Sequence, residues 1–361
     1  MMKVYNFSAG PSMLPTEVLE TCKKEMLSYE NSDMSVMELS HRSVIYGEIH
    51  EQAKENLKKL LGINDEFDLL FLQGGGSTQF AMIPMNLLNK TDTASYLVTG
   101  SWAEKAMKEA NTIAKAEVLA SSKDKNFSYI PEIDEKKINP SSKYLYLCVN
   151  NTIYGTRISP EKINKLNTRL VGDVSSNILS ENYDYNKFDL FFAGAQKNLG
   201  PAGVTLVGVK KELLNEMQEN IPTIFKYKTH AEKDSLYNTP PCFSIYVMGL
   251  VAKWLIKEGG MEEMDRRNKE KAKLLYDFID NSSLYKNNIN KEDRSLMNVV
   301  FVTGDKDLDA KFVEGAKKFG FVNVKGHRSV GGMRASLYNA MPIDGVKKLI
   351  EYMKKFEREN I

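Results

Sequence analysis

Residues 188–203 read FDLFFAGAQKNLGPAG. The apolar run Phe188–Ala193 predicts a buried strand. Small residues follow it, then Gln196, Lys197 and the breakers Gly200-Pro201. A lysine just past the carboxyl end of a buried strand stands where open α/β sheets bind their ligands. Partly desolvated there, an amine loses proton affinity and becomes a nucleophile. Taken alone, the same pattern also describes a solvated loop lysine, and the rest of the chain decides between the two.

Outward from this stretch, short apolar strands alternate with helical patterns between about Phe67 and Val209. The predicted strands are Asp68–Leu72, Ser95–Thr99, Ala116–Ala120, Tyr144–Val149, Arg169–Asp173, Leu190–Ala193 and Val204–Val209. Helical patterns between them cover Ser77–Leu88, Ala103–Ile113 and Pro160–Asn167. Such alternation predicts a mostly parallel, seven-stranded sheet with helices on both faces. Two amphipathic helices precede it, Pro15–Tyr29 and Val44–Leu61, the second stopped by Gly62. Past Pro240-Pro241 the rhythm changes to helices at Ile245–Glu258 and Met261–Ile279, a strand at Asn298–Thr303, a helix at Leu308–Phe319, a strand at Met333–Tyr338 and a last helix at Ile343–Arg358. The expected organisation is an α/β large domain over residues 15–255 and a smaller C-terminal α+β domain over 256–361, joined by the N-terminal segment 1–14.

Composition removes several classes of function. The 361 residues carry 49 Lys+Arg against 47 Asp+Glu, a formal net charge of +2. No dense basic patch is interleaved with aromatic residues, so no nucleic acid is expected as a partner. Cys22, Cys148 and Cys242 lie far apart, which disfavours a zinc site or a disulfide framework and suits a reducing compartment. The longest charge-free stretch, Ser235–Ala252, contains Pro240-Pro241 and is no membrane span. With no apolar signal core behind Met1, a cytoplasmic location without membrane contact is expected.

Other strand ends carry chemistry as well. The strand ending at Leu72 runs into Gln73-Gly74-Gly75-Gly76-Ser77-Thr78 and then a helix. Glycines admit close backbone approach, and free N–H groups at a helix start favour a phosphate. Ser77 and Thr78 add hydroxyl donors or cap the helix. Neither a Walker loop nor a dinucleotide fingerprint fits the spacing. Asp173 ends another strand, as a cap, a metal ligand or the partner of a protonated ring nitrogen. Without a His/Asp/Glu cluster beside it, no metal is expected. A Schiff-base lysine, an acid for a pyridinium nitrogen and a phosphate cradle are what pyridoxal 5′-phosphate requires of its protein. Trp102, beside Gly100-Ser101, adds an indole that stacks on the cofactor ring or simply packs. Two dipeptides, His41-Arg42 and His327-Arg328, sit in polar or glycine-rich settings, and Arg334 follows the second. Arginine forks on carboxylate or phosphate with histidine donors beside them suggest a substrate with more than one anionic group.

These residues fall in longer strings: Asn6-Phe7-Ser8-Ala9-Gly10-Pro11, Ser40-His41-Arg42, Gly74-Gly75-Gly76, Gly194-Ala195-Gln196-Lys197-Asn198, Tyr237-Asn238-Thr239-Pro240-Pro241, Gly326-His327-Arg328 and Gly331-Gly332-Met333-Arg334-Ala335-Ser336. Through them nearly the whole chain resembles the phosphoserine aminotransferase family, class V aminotransferases with the aspartate aminotransferase-like fold type I of pyridoxal-phosphate enzymes. The resemblance implies that Lys197 carries the cofactor through a Schiff base and later moves the α-proton. It implies that Asp173 pairs with the ring nitrogen, Trp102 stacks on the ring and Thr152 meets the ring hydroxyl. Gly76, Ser77 and Gln196 then contact the phosphate, while Asn238 and Thr239 reach the cofactor phosphate of a neighbouring subunit, in a homodimer with shared active sites. Arg334 holds the substrate α-carboxylate. His41, Arg42, His327 and Arg328 hold the distal anion, one pair coming from across the interface. Ser77 stands where some members carry arginine, which removes a formal charge from the phosphate site.

The implied reaction is a ping-pong transfer of the amino group of L-glutamate to 3-phosphohydroxypyruvate, giving O-phospho-L-serine and 2-oxoglutarate in L-serine biosynthesis. Action on a longer acid leading to 4-phosphohydroxy-L-threonine, for vitamin B6, stays open. So do a small-acid relative such as an alanine–glyoxylate aminotransferase and a cofactor-binding regulator without turnover.

Overall fold

The computed structural model describes residues 3–361. The lysine strand, β9 (Leu190–Gly194), lies near the centre of a seven-stranded sheet. The others are β2 (Phe67–Leu72), β3 (Thr93–Val98), β4 (Lys115–Ser121), β5 (Ser142–Cys148), β8 (Leu170–Asp173) and β10 (Thr205–Lys210), in the order β2-β10-β9-β8-β5-β3-β4. All neighbouring pairs are parallel except those made by β10, which is antiparallel to both β2 and β9. Each of the seven expected strands is present within a residue or two of its expected bounds. Short strands make three further pairs: β1 (Tyr5–Asn6) with β12 (Phe321–Val322), β6 (Asn150–Asn151) with β7 (Thr156–Arg157), and β11 (Asn298–Phe301) with β13 (Met333–Ser336).

Aromatic packing explains why glycines interrupt the apolar strands. Phe191 of β9 stands in register with Gly172 of β8 on one side and Gly208 of β10 on the other. A Cβ on Gly208 would collide with the Phe191 ring, and one on Gly172 with the Phe188 ring. The lysine strand is thus wedged by large rings that only side-chain-free neighbours admit.

Helices cover both faces. On one, α1 (Thr16–Lys24), α2 (Val44–Leu61) and α8 (Cys242–Lys257) bury Leu57, Ile245 and Val251 against Leu69, Phe71 and Leu206. On the other, α3 (Gly75–Leu87) and α4 (Ser101–Ala110) bury Phe80, Ile83 and Ala106 against Leu70, Tyr96 and Phe192. The short helices α5 (Pro160–Asn164), α6 (Lys211–Leu214) and α7 (Tyr227–Glu232) lie in the connections. A separate core joins α9 (Gly260–Asn281), α10 (Lys306–Lys318) and α11 (Ile343–Asn360) to β11 and β13, with Tyr5 and Phe7 from the chain start packed into it.

The helices expected to end at Ile113 and Asn167 stop at Ala110 and Asn164, and two further expectations shift. The first amphipathic helix ends at Lys24 rather than Tyr29. Beyond it Leu27 is exposed, and the Ser28 hydroxyl accepts from the Asp33 amide in a turn that competes with helix. β4 is an edge strand with no buried residue, not one covered on both faces. The opposite edge, β2, is blunted by the Ser235 hydroxyl, which accepts from the Phe71 amide at 2.9 Å.

Candidate active site

At the carboxyl ends of the parallel strands lies a cavity of about 440 Å³. The turn after β2 brings Gly76 and Ser77 to it, α4 brings Trp102, and the loop after β6 brings Thr152. Asp173 comes from the end of β8, Gln196 and Lys197 from the turn after β9, and His327 and Arg334 from beside and within β13. Residues far apart in sequence meet here because parallel strands all deliver their carboxyl ends to one side.

Lys197 sits in a tight turn closed by bonds from the Leu199 and Gly200 amides to the Ala195 carbonyl, at 3.1 and 2.9 Å. Ser12 braces that turn from the N-terminal segment: its amide donates to the Gln196 carbonyl at 2.9 Å and its hydroxyl to the Lys197 carbonyl. Burial pushes the Lys197 amine below its ordinary pKa. The Asp173 carboxylate and Cys148 pull it partly back, and the Arg334 guanidinium adds to the downward shift. Lys197 is half-buried and lines the cavity, unlike a fully solvated loop lysine.

Asp173 is buried, and its Oδ1 accepts from the Ser175 amide at 3.0 Å. The carboxylate therefore does act as a local cap, yet it also faces the cavity. Ser175 lines the cavity too, and its hydroxyl accepts from the Gly194 amide at 3.1 Å, tying the Asp173 turn to the lysine strand. Ser175 carries no periodic signal in the sequence, and only the fold shows its place in the wall. Ala9 and Gly10, from the string before Pro11, complete the wall.

The Trp102 indole N–H donates to Thr152 Oγ1 at 3.1 Å, which leaves the Thr152 hydroxyl proton free for another acceptor. In the glycine turn, Gly74 caps α3 with φ of 91°, and a Cβ there would collide with Thr78. Thr78 is spent inside the turn, its hydroxyl donating to the Gly74 carbonyl at 3.0 Å, while Ser77 opens onto the cavity. Gly75, Gly76 and Ser77, the first residues of α3, line the cavity, and free amides at a helix start with the positive end of its dipole favour an anion.

Arg334 Nη1 donates to the Thr152 carbonyl at 3.0 Å, whereas its Nε is buried without a partner. An unpaired guanidinium N–H in a cavity wall is costly unless an anion meets it. The His327 Nδ1 accepts from the Ser329 amide at 3.3 Å, so the neutral ring carries its proton on Nε2. Burial, then Arg334, Arg328 and Lys105, hold the His327 pKa below its ordinary value.

The remaining expected residues stand elsewhere. Arg328 is exposed and does not line the cavity. His41 and Arg42 lie in the turn before α2, whose first residues are capped by Ser43, and do not reach the cavity of their own chain. Asn238 lines a second cavity, of about 320 Å³, on the far side of Gly74. Thr239 is exposed, its carbonyl accepting from Gln73 Nε2 at 3.0 Å. Among the described residues no cluster of three or more His, Cys, Asp or Glu side chains is arranged to hold a metal, and no helix is long and apolar enough to cross a membrane.

The Aminotransferase class-V family model matches residues 4–349. A phosphoserine aminotransferase of Bacillus cereus is 49% identical over 361 residues, covering 100% of both chains. A solved phosphoserine aminotransferase structure, concerned with radiation damage of the Schiff base, is 48% identical with a TM-score of 0.95, over 99% of this chain and 100% of that one. A pyridoxal-phosphate-bound phosphoserine aminotransferase from Trichomonas vaginalis is 36% identical with a TM-score of 0.91, over 98% and 100%. With this match along its length and a lysine, an acid and an anion cradle at the strand ends, the chain belongs to the class-V aminotransferase family.

Proposed function

We propose that the chain is a pyridoxal-phosphate-dependent phosphoserine transaminase, moving the amino group of L-glutamate to 3-phosphohydroxypyruvate to give O-phospho-L-serine and 2-oxoglutarate, a step of L-serine biosynthesis. The observation that carries this reading is the joint lining of one cavity by the desolvated Lys197 amine, Asp173 and the partly unpaired Arg334 guanidinium. Full-length relatives named phosphoserine aminotransferase support the substrate assignment.

The donor set suits the cofactor: an amine for its aldehyde, a carboxylate for its ring nitrogen, an indole for its ring face, and helix amides with Ser77 and Gln196 for its phosphate. Nothing lies within 4 Å of where a Gly75 Cβ would stand, so the backbone there admits close approach. When bound, pyridoxal phosphate supplies an electron sink for the charge left at the substrate α-carbon. The chain's residues do the rest. Lys197, whose proton affinity burial lowers, is placed to take and return the α-proton at Nζ. Asp173 would hold the ring nitrogen with its carboxylate, Thr152 would offer its hydroxyl proton to the ring oxygen, and Arg334 would orient the α-carboxylate. The Nε2 proton of His327 serves the distal anion.

Both substrates carry a second anion, a carboxylate in one and a phosphate in the other. Separate donors on mobile side chains serve both better than one rigid fork. We assign the missing donors, His41 and Arg42, and the phosphate contacts of Asn238 and Thr239, to a second copy of the chain, so that the working unit is a homodimer with shared sites. The division near residue 256, with segment 1–14 joining the parts, belongs to the same reading; the separate core around α9 to α11 supports it.

Mixing the holoenzyme with L-glutamate and following the cofactor absorption tests the reading. Conversion to the amine form is expected, followed by restoration with 3-phosphohydroxypyruvate and far less with glyoxylate. An unchanged spectrum overturns the assignment, and preference for the unphosphorylated acceptor moves it to a small-acid aminotransferase.

A further inference from the structure

Arg334 is anchored by a single hydrogen bond, to the Thr152 carbonyl. One bond at the tip of a long side chain does not fix the strand beneath it. β13, which carries Arg334, is held on one edge by the Val324 and Phe7 carbonyls, which accept from the Arg334 and Ser336 amides at 2.8 and 3.3 Å; on the other it pairs with β11, where Asn298 stands opposite Ser336. Ser336 projects on the same face of β13 as Arg334.

Asn298 is fully buried and its amide is saturated. Its Nδ2 donates to Ser336 Oγ at 3.0 Å and to Tyr338 Oη at 3.3 Å, and its Oδ1 accepts from Asn150 Nδ2 at 2.8 Å. Asn150 gives its other amide proton to Ser176 Oγ at 2.7 Å and accepts from Ser295 Oγ at 2.6 Å. Tyr338 in turn donates to the Ala9 carbonyl at 2.7 Å.

This cluster touches four segments of the cavity wall. Asn150 lies two residues before Thr152, Ser176 three after Asp173, Ser336 two after Arg334, and Ala9 lines the cavity itself. The Asn150–Asn298 bond therefore bridges the same gap as the Thr152–Arg334 bond, one layer deeper. Apolar faces in contact tolerate small slides, whereas a buried network of hydrogen-bonded amides and hydroxyls favours one arrangement.

We propose, resting on the transaminase reading above, that Asn298 is a positioning residue: through Asn150 and Ser336 it sets where the Arg334 guanidinium stands relative to Lys197. It touches neither substrate nor cofactor, and its effect passes through Arg334.

The test is the half-reaction of holoenzyme with L-glutamate, measured as single-turnover rate against glutamate concentration. Asn298→Ala is expected to raise the half-saturating concentration about tenfold while the limiting rate stays within about threefold, because the α-carboxylate grip is displaced and the lysine turn is not. Ser336→Ala, which removes a single hydroxyl, is expected to move half-saturation the same way by about threefold, and it carries the test if Asn298→Ala does not fold. Added to Arg334→Ala, Asn298→Ala is expected to cost nothing further, since the group it acts through is gone. Losses that multiply, or unchanged half-saturation in the folded variants, overturn the positioning role while leaving the transaminase reading intact. An unaltered holoenzyme that does not react with glutamate overturns both.

Discussion

Lys197 and Arg334 divide the work at the level of single side chains, and substitution separates them. Lys197→Ala removes the proton carrier, so turnover is expected to fall to near background and borohydride to stop fixing the cofactor to the protein. Near-normal turnover would remove Lys197 from the mechanism. Arg334→Ala leaves a substrate carboxylate desolvated and without its counter-charge, at a cost of about 3–5 kcal/mol in transition-state binding. That loss is to be read as kcat/KM for both substrates, because both carry the α-carboxylate; unchanged values for both would remove Arg334 from the site. Burial is the main cause of the lowered pKa of Lys197, and the Arg334 guanidinium adds to it.

Among elements, the lysine strand and helix α2 each make a checkable demand. Gly208→Val forces a branched side chain into the Phe191 ring across the β9–β10 ladder. Overpacking of this kind costs about 1–3 kcal/mol, to be seen as a lowered denaturant midpoint at unchanged slope. Helix α2 is tied to the segment before Ser235 by Asp234, which meets Lys54 Nζ at 2.5 Å and His50 Nε2 at 3.5 Å. Burial opposes ionisation of Asp234, yet His50 and Lys54 together hold its pKa down at about 2, below the ordinary 3.8. A depressed carboxyl stabilises the fold fully above its unfolded value and loses that contribution as pH falls through its folded one. The melting-temperature gap between the wild type and Asp234→Asn should therefore close between about pH 4 and pH 2; a gap independent of pH would mean the ion pair contributes nothing. These elements were legible in sequence because their periods are clean: the β-branched and aromatic runs gave every strand of the sheet, and Gly62 marked the end of α2, where it adopts φ of 61°. Ser175, Ser12 and Asn298 were not legible. Small polar residues carry no periodicity, and their meaning depends on which distant backbone amide or side chain the fold sets beside them. Thr78 shows the converse, a hydroxyl well placed along the chain that the fold turns inward onto Gly74.

For the whole molecule, the residues absent from the cavity matter as much as those present. His41 and Arg42 stand outside the cavity of their own chain, so supply from a second copy makes a sharp demand on mixed assemblies. Co-expressed Lys197→Ala and Arg42→Ala chains form hybrids in which one site receives both intact residues. Activity should then return to about a quarter of the wild-type level, although each variant alone is nearly inactive. No recovery would mean that each chain supplies its own His-Arg pair. A last consequence lies in the pairing of β1 with β12, where Tyr5 meets Phe321 and the adjoining Ala9 and Gly10 close one wall of the cavity. During synthesis β1 waits for a partner at Phe321–Val322, and β2 waits in the same way for β10. Contacts so distant in sequence form late and slowly. The wall that Ala9 and Gly10 supply is thus fixed only when the β12 segment has formed, and removing Tyr5–Gly10 is expected to damage the cavity.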